Sequence, residues 1–164
     1  MQEEKSFTLI ELLVVIAIIG LLASITYVSL QEAKERAKIG RTQEELAEIT
    51  SAVKIASFAQ DEALKDITGS GCSECVCRTV IDLSVLADTH QCIINWNNVI
   101  NKIVLPVGFR DSWGSPYLLD ENELEFIANP CRMDSLCSAG PDKRYMTADD
   151  ICVKISFYTP QCNP

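Results

Sequence analysis

Apolar residues fill positions 7–30, FTLIELLVVIAIIGLLASITYVSL, and the one charge among them is Glu11. As a helix rising about 1.5 Å per residue, this run reaches roughly 36 Å, enough to cross a hydrocarbon core of about 30 Å. From Gln31 the pattern changes but does not stop, since no proline and only Gly40 as a weak break occur before Gln60. Ile39, Leu46, Ile49, Val53, Ala56 and Ala59 recur at helical spacing, while Arg41, Glu44, Glu45, Glu48 and Lys54 fall on other faces. The two stretches therefore predict one long helix, apolar all round in its first half and amphipathic in its second. The second half is expected to bury its stripe against a globular head.

Gly69-Ser70-Gly71 ends whatever residues 61–68 form and opens the cysteine-rich loop 72–78. Residues 80–104 then read as a second helix, with Leu83, Leu86, Ile93, Ile94, Trp96, Val99, Ile100 and Ile103 forming a broad apolar face and Pro106 stopping it. Tyr117-Leu118-Leu119 is a strand candidate, Asp120-Glu121-Asn122 a turn, and residues 124–128 a returning strand. Alternation in DICVKISFY, 150–158, predicts a closing strand. The expected fold is α+β: a long N-terminal helix on a small head with a second helix and a short antiparallel sheet of three or four strands.

Glu11 constrains the first segment further. A charge well inside a bilayer costs on the order of 3 kcal/mol, so it needs a partner, yet no Lys, Arg or His lies between residues 7 and 30. A chain cut just before Phe7 would place a new α-ammonium one helical turn away. A secretory signal peptide is opposed by Glu11, by the length of the run and by the helix that follows it. A plain single-pass anchor leaves Glu11 unexplained.

The stretch SFTLIELLVVIAIIG, residues 6–20, resembles the class III signal of type IV pilins and type II secretion pseudopilins. The resemblance implies a leader of residues 1–6, a membrane and filament-core helix over 7–30, its amphipathic continuation over 31–60 and a head over 61–164, a pilin-like lollipop. It also implies that a prepilin peptidase cuts between Ser6 and Phe7 and methylates the Phe7 amine, and that Glu11 docks subunits into a filament. Ser6 stands where the family usually has Gly, the leader has one base, Lys5, against Glu3 and Glu4, and the helix-breaking proline common later in the run is absent. Asp111-Ser112-Trp113-Gly114-Ser115-Pro116-Tyr117 is similar to a turn of the major pseudopilins, with Ser112 in place of Pro. SAGPDKRYMTADDI, 138–151, resembles their calcium loop, with Lys143 and Met146 where glycines are usual. Calcium seeks six to eight oxygens, and that resemblance assigns them to Asp142, Asp149 and Asp150 with carbonyls of Leu136 and Ser138.

The balance of 14 Lys and Arg against 23 Asp and Glu, net −9, disfavours a nucleic-acid surface. The eight cysteines, Cys72, Cys75, Cys77, Cys92, Cys131, Cys137, Cys152 and Cys162, all follow the long helix, which suggests up to four disulfides in an oxidising compartment. Their pairing stays open among 105 possibilities, with Cys152 or Cys162 a candidate to tie down the tail. Zinc held by Cys72, Cys75 and Cys77 with His90 and Cys92 is the alternative, against which His90 reads as a surface or cap residue. No nucleophile, phosphate loop or acid pair suggests an enzyme. The expected role is a pseudopilus subunit of the bacterial inner membrane, with its head in the periplasm or outside the cell. Its expected partners are its own copies, an assembly platform and the peptidase. A pilus pilin and a tethered binding module that never polymerises are the competing readings.

Overall fold

The computed structural model describes residues 8–106 and 108–162, so the expected cleavage site at Ser6 and Phe7 lies outside the described residues. Helix α1 runs unbroken over Leu9–Gln60. The chain forms two compact units, Met1–Ala37 and Lys38–Pro164. In the first, every described side chain from Thr8 to Lys34 is exposed, including the whole apolar run. This is the one helix among the described residues that is long and apolar enough to cross a membrane.

In the second unit α1 buries Thr42, Glu45, Leu46, Ile49, Val53, Ala56 and Ser57. Four members of the predicted stripe are thus core, Ile39 is half-buried, and Ala59 is exposed because the stripe stops where the chain turns at Asp61. Glu45 departs from its predicted polar face. It is buried because its Oε2 accepts the Tyr117 hydroxyl at 2.6 Å, while Arg41 Nε reaches Oε1 at 2.8 Å.

Helix α2, Leu64–Thr68, ends as the sequence predicts. Gly69 takes φ 72°, and its N–H returns to the Lys65 carbonyl. The expected helix over 80–104 is shorter: α3 covers Gln91–Lys102 only. Its start is set by His90, whose Nδ1 accepts the Cys92 N–H at 3.2 Å, a cap as anticipated for this residue. Upstream, the Asp82 carboxylate takes the Ser84 N–H and holds a 3-10 turn over Leu83–Val85, which interrupts the apolar periodicity. Ile94, assigned to the core face, is exposed.

The sheet is antiparallel in the order β1-β2-β3, with β1 Leu118–Asp120, β2 Ser135–Ser138 and β3 Ile151–Lys154. Leu119 faces Leu136, which faces Val153. The predicted strand at 124–128 is instead a loop: Leu124 has φ 61°, its N–H bonds the Pro130 carbonyl, and Asn129 N–H closes on Phe126. The partner strand comes ten residues later in SLCS, all four residues buried, so it carries no alternation to read. The closing strand is four residues rather than the nine of 150–158. A core of Leu46, Ile49, Val53, Trp96, Ile100, Tyr117, Leu119 and Leu136 joins α1, α3 and the sheet.

Candidate functional site

Glu11 sits in the first turn of α1. Its Oε2 accepts the Thr8 backbone N–H at 2.9 Å and the Thr8 hydroxyl at 2.7 Å, and the Thr8 hydroxyl oxygen accepts the Glu11 N–H at 3.3 Å. This reciprocal pair is a capping box, in which Thr and a Glu three residues on satisfy each other's orphan amides. The signal, Thr8-x-x-Glu11, is plain in the sequence and gives Glu11 a local partner other than a cation. The Oε1 atom takes no part in these bonds, so a second donor can still approach the carboxylate.

The two motifs singled out in the head meet. Asp111 Oδ1 accepts the amides of Trp113 at 3.0 Å and Ser115 at 2.8 Å, the Asp111 N–H bonds the Ser115 carbonyl, and Gly114 at φ 90° completes the turn. Asp111 Oδ2 accepts the Ser138 hydroxyl at 2.6 Å, and the Ser138 oxygen accepts the Gly140 N–H at 3.1 Å. Gly140 is required at φ 66°, because a Cβ there would collide with the Asp149 carbonyl oxygen. On the other side, Ser112 accepts from Thr42 of α1 at 3.1 Å, and Tyr117 stacks on Phe109 beside Trp96.

Within the loop, Asp149 Oδ2 accepts the Asp142 N–H at 3.0 Å and Oδ1 accepts the Thr147 hydroxyl at 2.8 Å. Asp150 Oδ2 accepts the Met146 and Thr147 amides, and Asp142 Oδ1 accepts the Arg144 N–H at 2.8 Å. The amide of Asp142 and the Thr147 hydroxyl hold Asp149 below its ordinary range, whereas burial raises Asp150. Lys143 and Met146 take φ 61° and 67°, the left-handed conformation that the glycine pattern demanded, at a cost neither side chain relieves. Leu136 lies within β2, paired on both sides, and Ser138 is turned to Asp111. The acids therefore close the loop through its own amides and the Thr147 hydroxyl.

The cysteines pair as Cys72–Cys75, Cys77–Cys92, Cys131–Cys162 and Cys137–Cys152. Cys162 ties down the tail, as the spacing allowed. The zinc alternative is overturned, since Cys77 and Cys92 are joined to each other and His90 caps α3. Sequence reasoning missed a set of buried acids. Glu121 accepts the N–H and hydroxyl of Ser73, Asp134 accepts the Asn122 and Glu123 amides, and Glu123 accepts those of Tyr158 and Thr159. Burial pushes Glu121 up to about 7 and Asp134 to about 6. The run DENELE reads as a solvated turn, and nothing local to it reveals that its acids fold inward.

The model of the prokaryotic N-terminal methylation motif matches residues 1–27. No match was found among curated proteins or among solved structures. The chain thus carries the methylation signal typical of type IV pilins and pseudopilins, at the start of an exposed apolar helix followed by an α+β head.

Proposed function

We propose that the chain is a structural, non-enzymatic subunit of a type IV pilin-like filament, anchored in the bacterial cytoplasmic membrane by residues 7–30 and polymerised through that helix. The narrower reading is a major pseudopilin of type II secretion, supported by the turn at 111–117 and the acidic loop at 138–150; a pilus pilin uses the same N-terminal machinery. The observation that carries the proposal is the methylation motif on a helix whose apolar side chains find no cover among the described residues, Leu9 being 81% and Ile16 60% exposed. Such a surface demands lipid or further apolar helices. A prepilin peptidase cutting between Ser6 and Phe7 supplies an amine, and Glu11 Oε1, which takes no part in the Thr8 bonds, is the acceptor through which a neighbour's amine sets axial register.

Intact mass and N-terminal sequencing of membrane-extracted protein test this: residues 1–6 missing and Phe7 methylated are expected. Retention of the leader in a chain that never polymerises would overturn it in favour of a tethered binding module. Glu11→Val is expected to insert normally yet assemble poorly, and a normal filament yield would defeat the role given to Glu11. Calcium at Asp142, Asp149 and Asp150 is a separate proposal, supported by three acids on one loop before β3. Millimolar calcium should then raise the thermal midpoint of the head, and an unchanged midpoint removes it.

A further inference from the structure

The four disulfides differ in burial and in what surrounds them. Cys77–Cys92 has both cysteines in the core, and Cys131–Cys162 and Cys137–Cys152 each have one buried member. Cys72–Cys75 has none: Cys72 is half-buried and Cys75 exposed. Its sequence separation is 3, against 15, 31 and 15 for the others, so it removes the least freedom from the unfolded chain.

The turn that carries it is held by other bonds. Ser73 donates its N–H and hydroxyl to the buried Glu121, the Glu74 N–H bonds the Leu119 carbonyl of β1 at 3.2 Å, and the Asn95 amide of α3 reaches the Ser73 carbonyl at 3.1 Å. Arg78 pairs with the buried Glu74 and lies 3.8 Å from Asp120. The same Arg78 Nη2 stands 3.5 Å from Cys72 Sγ, and Glu74 Oε2 lies 2.9 Å from that sulfur.

We propose that Cys72–Cys75 is a thiol–disulfide exchange site, open to a dithiol while the other three bridges keep the head folded. An incoming thiolate attacks the exposed Cys75 Sγ; the Cys72–Cys75 bond breaks, and its electron pair leaves on Cys72 Sγ beside the Arg78 guanidinium. That thiolate takes its proton from solvent once the bridge has opened. A second thiolate of the partner then attacks the partner's own sulfur in the mixed disulfide. The partner's disulfide forms, Cys75 is released as a thiolate, and it takes a proton from solvent. The partner loses two electrons and the cysteine pair gains them. Exchange favours an accessible sulfur and a stabilised leaving thiolate, and this bridge combines both with a turn that stays in place when it opens.

The test uses the full chain in detergent micelles with dithiothreitol or reduced glutathione in graded amounts, followed by alkylation, mass mapping and far-ultraviolet dichroism. Cys72 and Cys75 should be alkylated at least about tenfold faster than the other six cysteines, with the dichroism unchanged. Opening at the same rate as another bridge, or together with loss of helix, would overturn the proposal. Cys72→Ser with Cys75→Ser should keep the fold and the other three bridges; unfolding of that variant would assign the bond a structural role instead. Arg78→Gln should slow alkylation of Cys72 specifically and Arg78→Lys should restore it, whereas equal rates in all three proteins would remove Arg78 as the positioning residue.

Discussion

Glu121 holds no exposed surface, and its carboxylate is spent on the N–H and hydroxyl of Ser73. Because burial lifts its pKa from 4.5 to about 7, the folded chain binds a proton that the unfolded chain has released between those values. Folding stability contributed by this group is therefore greatest at low pH and falls as pH rises from about 4.5 to about 7. Glu121→Gln keeps an acceptor for the Ser73 amide and removes the buried charge. It should stabilise the protein by about 1–3 kcal/mol at pH 8 and flatten the slope of thermal midpoint against pH over that window. Glu45 is held by Tyr117 and Arg41. Tyr117→Phe should cost about 1–3 kcal/mol by denaturant unfolding, since it leaves a buried carboxylate oxygen without its donor. Neither acid was legible. Each is buried by a residue distant in sequence, Glu45 by Tyr117 and Glu121 by Ser73, and helical spacing alone put Glu45 on the solvent side. Thr8 with Glu11, by contrast, was fully legible and local.

At the scale of elements, the turn 111–117 and the loop 138–150 stand or fall together through Ser138 and Asp111. Asp111→Ala removes the acceptor for two amides and one hydroxyl, so thermal unfolding should register a loss of about 2–4 kcal/mol. Gly140→Ala should cost about 2 kcal/mol or more by the same measurement, from left-handed backbone and from the collision with the Asp149 carbonyl. Elements with local causes could be read from the chain: α1 from its apolar periodicity and the end of α2 from Gly69. Those that failed depend on tertiary surroundings. Ser135–Ser138 lacks alternation because both its faces are buried, Leu136 in the cluster with α1 and α3 and Cys137 in that with Cys77, Leu83 and Leu118, and residues 80–90 kept an apolar spacing while Asp82 and its turn broke the helix.

For the whole molecule, the described apolar helix remains exposed while the head is closed by buried acids and cross-links. Asp134 fixes the residues after β1, and Glu123 there holds the amides of Tyr158 and Thr159. Cys131–Cys162 then closes a 31-residue separation around them. Replacing both cysteines by Ser should lower stability by about 3–4 kcal/mol in chemical denaturation, as loop-closure entropy predicts. The methylation motif, in contrast, lies within the first 27 residues.

The Cys137–Cys152 bridge links residues that lie directly opposite each other across β2 and β3. Pulled from its C-terminal end, the head would otherwise peel its last strand away one amide at a time, like a zip. With this rivet between the strands and a second one at Cys131–Cys162, load on the C-terminal end passes into covalent bonds, and single-molecule pulling should find the oxidised head far less extensible than the fully reduced one.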